Sequence, residues 1–398
     1  MKISGTDRAL GIEYAIRDVI GPARELEAEG VDVTRLNIGD PVQFDFDTPE
    51  HMKAGFKRAL DEGKNSYGAS EGVEEFRRTL AGREQAKNDA AITWEDVYVT
   101  SGISEALQML FGSLLEPGDE ILVPGPTYPP YIALSEFYGA TPVSYRTIEE
   151  EGWRPDVEDL EAKITEDTQA IVSINPNNPT GALYPEETLR AIADVAAEHD
   201  LPVISDEIYD RMTYEGEHTG MAGLVDDVPL IVLNGFSKVY LATGWRLGYT
   251  YFQDPHDDLE AVRTGFEKMG RVRLCPNTPA QYGAMEGVRQ EKDYLEDVMG
   301  KLRDRRDFFH ERVNEIPGLS AQKPTGAFYI FPKIESDAWD SDKQFVLDLL
   351  NEGHVLFVHG SGFDPDFGAG HFRSVFLPEK PVLEDALDSV ESFMREHA

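Results

Sequence analysis

The chain of 398 residues holds one cysteine, Cys275. It can close no disulfide within itself and supplies no cysteine-based metal cluster, so no metal is expected and a cytoplasmic setting is the default. Long apolar runs are missing too: no stretch approaches the roughly eighteen residues that a membrane-spanning helix needs. Residues 1–10 are polar and lack the apolar core of a secretory signal. Basic residues are scarce. Lys and Arg number 37 against 74 Asp and Glu, a formal net charge of −37. Such a surface repels nucleic acid and anionic membrane, which excludes both as expected partners. It also suits a high-salt cytosol, where screening removes the self-repulsion.

What is present is ample core material, with 41% hydrophobic residues and 20 Phe, and enough length for two domains. Short apolar runs at 97–100, 120–123, 142–145, 170–174, 201–205, 230–233 and 246–252 alternate with helical patterns. That rhythm predicts a buried, mostly parallel, seven-stranded sheet between helices, an α/β fold. Beyond about residue 290 the pattern becomes α+β: a long charged helix over 292–316, then short strands and helices. The expected organisation is an N-terminal segment, 1–48, joining a small C-terminal domain, 290–398, with a large domain, 49–289, between them.

In parallel sheets ligands bind beyond the carboxyl ends of the strands, and five chemically loaded stretches follow predicted strands. After 230–233 comes Ser237-Lys238, with Arg246 eight residues on from the lysine. A lysine with apolar flanks loses its charge readily and then attacks carbonyls. An arginine beside serine and glycines suits phosphate. Amine plus phosphate clamp is what pyridoxal phosphate (PLP) requires. Ser101-Gly102-Ile103 opens a helix, where free N–H groups and the helix dipole favour phosphate. The rigid loop Pro124 to Tyr131 offers Tyr128 for stacking on a flat ring. Asn178 sits in a proline- and asparagine-rich turn that aims its amide. Asp206, at a strand end near an apolar interior, needs a cationic partner such as a protonated pyridine, and Tyr209 lies three residues on. Each stretch alone is equally compatible with a cap, a turn or loop packing. Five in this order are much less so.

The chain resembles the fold-type I, class I aminotransferases, which use PLP. The resemblance is carried by Tyr67-Gly68 with Gly72, Ser101-Gly102, Pro126-Thr127-Tyr128, Asn177-Asn178-Pro179-Thr180-Gly181, Asp206-Glu207-Ile208-Tyr209, Ser237-Lys238, Gly244-Trp245-Arg246-Leu247-Gly248 and Arg373. It is similar in detail to the alanine aminotransferase branch at Glu13-Tyr14-Ala15-Ile16-Arg17-Asp18, Leu36-Asn37-Ile38-Gly39-Asp40-Pro41, Arg273-Leu274-Cys275-Pro276-Asn277-Thr278-Pro279 and His359-Gly360-Ser361-Gly362-Phe363.

The resemblance implies roles residue by residue. Lys238 holds PLP as a Schiff base and moves the proton at the substrate's α-carbon. Asp206 pairs with the pyridinium, Tyr209 and Asn178 bond the ring oxygen, and Tyr128 stacks on the ring. Ser101, Gly102, Ser237 and Arg246 hold the phosphate. Ile103 can contribute its backbone only, where many relatives have a small or polar residue. Tyr67 reaches the phosphate of a neighbouring subunit, which implies a homodimer with shared active sites. Arg373 clamps the substrate carboxylate with help from Gly39 and Asn178; otherwise it forms a salt bridge to a core carboxylate. The implied reaction is ping-pong transamination between an amino acid and a 2-oxo acid, foremost alanine and 2-oxoglutarate. Aspartate or aromatic substrates, or a PLP lyase, remain alternatives. Tyr14, Arg17, Ile38 and Tyr128 are the expected walls of the substrate pocket, with Arg17 as the cation for a distal carboxylate.

Overall fold

The computed structural model describes residues 3–225, 227–290 and 293–397. One eight-stranded sheet organises it. In chain order its strands are β1 (Val97–Thr100), β2 (Glu120–Gly125), β3 (Thr141–Ile148), β4 (Arg154–Pro155), β5 (Thr168–Ile174), β6 (Val203–Asp206), β7 (Leu230–Gly235) and β8 (Gly248–Gln253). Across the sheet they lie in the order β1-β8-β7-β6-β5-β2-β3-β4. The neighbours from β7 through β6, β5 and β2 to β3 pair in parallel. β8 runs antiparallel between β1 and β7, and the two-residue β4 pairs antiparallel at the far edge. The seven expected strands are all present. β4 is the addition, too short to leave an apolar signature.

Side chains alternate across each strand, so the sheet feeds two cores. Ile121, Val123, Ala170, Val172, Ile204, Ile231 and Leu233 pack on one face with Leu107, Leu110 and Phe111 of helix Ile103–Leu114 and Phe266 of helix Glu260–Arg273. Leu122, Ile171, Val203, Leu230 and Val232 pack on the other, with Leu189, Ile192 and Ala196 of helix Glu186–Glu198 and Phe76 and Leu80 of helix Glu74–Asn88. Burial of β1, β2, β5, β6, β7 and β8 on both faces explains why they read as continuous apolar runs; β3 is only partly buried. Two helices, Glu260–Arg273 and Thr278–Arg289, were not anticipated: their apolar residues are interrupted by charges, glycines and prolines. The Tyr128 loop is also shorter than expected, because Pro129 opens the helix Pro129–Tyr138.

The remaining strands are short and form separate small sheets. Tyr329–Ile330 and Val358–His359 flank Phe372–Val375, both antiparallel to it. The N-terminal segment contributes Thr34–Arg35, parallel to Val355–Leu356, and Leu36 then bonds on both sides, its N–H to Leu356 and its carbonyl to the N–H of Val375. Residues 36–40 run as a loop past Arg373, whose Nη2 donates to the Asn37 carbonyl, and Pro41 opens a short 3-10 turn. The long charged helix spans Asp293–Glu315; Lys292, where it is expected to begin, lies outside the described residues. No described helix is long and apolar enough to cross a membrane. Among the described residues no group of His, Cys, Asp or Glu could hold a metal ion.

Candidate active site

The carboxyl ends of β2, β5, β6 and β7 open into one cavity of about 520 Å³. Because β8 is antiparallel, its start rather than its end borders the same cavity, which brings in Arg246. The loop between β7 and β8 is pulled inward by Phe236, Val239, Tyr240, Leu241 and Ala242, all buried. That anchoring leaves Ser237 and Lys238 at the cavity wall. It also forces left-handed backbone on Leu241 and Arg246, at φ 52° and 50°, a conformation that side-chain-bearing residues adopt at a cost.

Thirteen of the sixteen expected residues line the cavity: Tyr14, Arg17, Ile38, Gly39, Ile103, Tyr128, Asn178, Asp206, Tyr209, Ser237, Lys238, Arg246 and Arg373. Lys238 Nζ donates to the carbonyl of Gly39, 2.6 Å away, and sits 5.4 Å from the centre of the Phe328 ring. Asp206 is buried and has no ion-pair partner among the described residues. The Tyr131 hydroxyl donates to its Oδ2 at 2.9 Å and the Ile208 N–H to its Oδ1 at 3.2 Å. Burial pushes its pKa up to about 6, against these two bonds. A buried carboxylate in that condition favours a cation brought in by a ligand.

Arg373 is 1% exposed. Its Nη1 donates to Asn178 Oδ1 at 2.9 Å and its Nη2 to the Asn37 carbonyl at 2.6 Å. The rings of Tyr329 and Phe363 flank it at 4.5 and 4.8 Å. Its Nε has no acceptor, and no carboxylate pairs with it among the described residues. The salt-bridge alternative for Arg373 is therefore not what the structure contains. Desolvation lowers its pKa, the condition under which an arriving carboxylate is bound strongly.

The phosphate side differs from expectation in one respect. Ser101 and Gly102 do not line the cavity, and the Ser101 N–H is not free: Glu105 Oε2 accepts it at 2.7 Å and is itself paired with Arg273 at 2.6 Å. Both residues instead lie against Arg246. Its Nη2 reaches toward the Ser101 carbonyl at 3.5 Å and its Nη1 donates to the Thr243 carbonyl at 3.1 Å. A side chain at residue 102 would begin 2.7 Å from Nη2, and Gly102 has φ 85°, so only glycine suits the position. Ser104 lines the cavity one residue beyond Ile103 and offers a hydroxyl where Ile103 has none. An N-terminal helix position next to the phosphate motif was the available signal.

Tyr67 is 82% exposed and outside its own chain's cavity. At the mouth, the Tyr14 and Tyr128 hydroxyls share a hydrogen bond of 3.3 Å, while Arg17 is exposed at the rim. Two further functional neighbours, Tyr131 and Tyr329, had no motif to mark them. The first lies one turn into a helix taken for loop, the second on a two-residue strand.

The residues fit PLP. The cavity lining combines the Lys238 amine, the buried Asp206 carboxylate, which has no cation among the described residues, and Arg246, whose acceptors among the described residues are backbone carbonyls. The sequence pattern of the aminotransferase class I and II family matches residues 31–389. The alanine aminotransferase of Mycobacterium tuberculosis is 37% identical over 405 aligned residues, covering 97% of this chain and 93% of that protein. The glutamate-pyruvate aminotransferase AlaA of Escherichia coli is 36% identical and covers 98% of each. The solved structure of the alanine aminotransferase from Pyrococcus furiosus superposes with a TM-score of 0.97 at 60% identity, covering 99% of this chain and 100% of that one. The chain belongs to the class I and II aminotransferases, and pyridoxal phosphate is its cofactor.

Proposed function

We propose that the protein exchanges an amino group between alanine and 2-oxoglutarate, giving pyruvate and glutamate by a ping-pong mechanism. The observation that carries the reading is the convergence of the Lys238 amine, the uncompensated Asp206 and the Arg373 guanidinium on one cavity. The alanine specificity rests on the relatives of that name. Bound PLP supplies the electron sink that acidifies an amino acid's α-proton. Asp206 would hold the pyridine nitrogen, with Tyr131 fixing the carboxylate's orientation. Tyr209 and Asn178 would bond the ring oxygen and Tyr128 stack on the ring. Ser237, Arg246, the backbone at Gly102 and Ile103, and the Ser104 hydroxyl would receive the phosphate. Lys238 Nζ would anchor the cofactor and would carry the proton at the substrate's α-carbon. Arg373, with Asn178 and Gly39, orients the substrate carboxylate. Arg17 is the cation for glutamate's distal carboxylate.

The same proposal includes a homodimer, in which the exposed Tyr67 completes the neighbour's phosphate site. It includes three segments, 1–48, 49–289 and 290–398, supported by the pairing of Thr34–Arg35 with Val355–Leu356. It also includes a cytoplasmic enzyme adapted to high salt, supported by the net charge of −37 and the single cysteine. Amino acid and 2-oxo acid are its partners, with neither nucleic acid nor membrane. Purified protein mixed with alanine and 2-oxoglutarate should yield pyruvate and glutamate one for one, without ammonia. Ammonia release would mean a lyase, and a change of the cofactor's absorption with aspartate but not alanine would overturn the substrate.

A further inference from the structure

We propose that Tyr329 is a positioning residue that holds the carboxylate clamp and the phenol beside the cofactor in one fixed relation. The inference rests on the proposed roles of Arg373 and Tyr209.

Tyr329 is 2% exposed, yet it forms part of the cavity wall. Its strand, Tyr329–Ile330, pairs antiparallel with the strand that carries Arg373, in the register Tyr329 to Val375. From there it touches three groups of the site. Its hydroxyl shares a 2.9 Å hydrogen bond with the Tyr209 hydroxyl. The two rings meet edge to face, centres 5.8 Å apart and planes at 85°. Its ring lies 4.5 Å from the Arg373 guanidinium carbon. Its hydroxyl and ring also fill the space into which a side chain at residue 39 would point, so the segment whose carbonyl receives Lys238 Nζ packs directly on this phenol.

Each contact has a physical consequence. Among the described residues the desolvated Arg373 guanidinium has no carboxylate partner; it gains from the negative face of the Tyr329 ring, and Phe363 supplies the second face. The ring therefore holds the plane of Arg373, which decides whether a carboxylate meets two N–H groups or one. The hydroxyl pair fixes where the Tyr209 proton points. When Tyr329 donates to the Tyr209 oxygen, the Tyr209 O–H becomes a stronger donor to whatever it faces. Ring and hydroxyl thus serve different partners, and two substitutions separate them. Tyr329→Phe removes the hydroxyl and keeps the ring. Tyr329→Leu removes both.

The experiment uses PLP-loaded protein and two readouts that do not depend on turnover. One is the pH midpoint of the cofactor's visible absorption. The other is the dissociation constant of 2-methylalanine, which has a carboxylate and amine but no α-proton and so binds without completing the reaction. For Tyr329→Phe the midpoint should rise by about 0.3 unit, because the anionic ring oxygen loses support, while the dissociation constant stays within twofold. For Tyr329→Leu the dissociation constant should rise about tenfold. A merely structural role would lower thermal stability without dividing the two readouts between the variants. An unchanged midpoint in Tyr329→Phe, or a dissociation constant within twofold of the native value in folded Tyr329→Leu, overturns the proposal. Arg373→Leu measured alongside distinguishes the two layers. If it too leaves 2-methylalanine binding unchanged, the role of Arg373 falls and the inference with it. If it abolishes binding while Tyr329→Leu does not affect it, the inference alone falls.

Discussion

Arg373→Leu should separate function from stability. An amino acid carboxylate meeting the guanidinium makes two charge-assisted hydrogen bonds, each about 1.5–3 kcal/mol. Their loss predicts a fall in kcat/KM of about 10²- to 10⁴-fold. The fold should tolerate the change for a reason visible in the structure. Leucine leaves the Asn37 carbonyl and Asn178 Oδ1 without their donor, costing about 1–3 kcal/mol each. Against that, it removes a buried cation that has no carboxylate partner among the described residues, returning several kcal/mol of desolvation. The opposing effects leave net stability within about 2 kcal/mol of native. Arg373→Lys keeps the charge and loses the planar fork, so an intermediate loss of about 10- to 10²-fold is expected. The assay is steady-state kcat/KM for alanine and for 2-oxoglutarate, with urea unfolding of each variant in parallel. A folded Arg373→Leu enzyme within threefold of native kcat/KM would refute the reasoning.

Four further outcomes follow from other sites. Asp210 is buried and accepts from Arg83 at 2.8 Å and Asn234 at 3.1 Å, with Lys87 also on Oδ2; Asp210→Asn should cost about 3–5 kcal/mol in urea unfolding, since it leaves buried cations behind, whereas the exposed pair Lys380–Asp304 should be worth under about 1 kcal/mol. Glu207 is driven by burial up to about 7; a raised folded pKa means stability that is present below the unfolded value near 4 and lost as pH rises through 7, so Glu207→Gln should flatten that decline, and identical pH profiles would contradict it. Arg17→Ala should raise KM for glutamate and 2-oxoglutarate about tenfold or more while sparing alanine, and an unchanged KM removes Arg17 as the distal cation. Thermal unfolding should move upward between dilute buffer and molar KCl as screening relieves the net charge of −37, and equal midpoints would end the high-salt reading.

Much of this enzyme was legible in one dimension, because its fold and chemistry have local causes. A strand buried on both faces is largely apolar, so β1, β2, β5, β6, β7 and β8 each announce themselves as runs, while β3 lies nearer the sheet edge and is only partly buried. Lys238, Asp206, Asn178 and Arg246 stand beside strand ends in short motifs, and a parallel sheet delivers strand ends to one place. Other features have no local cause. Tyr131 under Asp206 and Tyr329 between Arg373 and Tyr209 are pairings across 75 and 120 residues, set by which way a side chain points after packing. The sequence determined the sheet and set Lys238, Asp206, Asn178 and Arg246 beside its strand ends. Only the tertiary structure decided that Arg373 has no carboxylate partner among the described residues, that Ser104 rather than Ser101 lines the cavity, and that Tyr329 contacts both Arg373 and Tyr209, because those facts depend on distances between segments that the chain order leaves open.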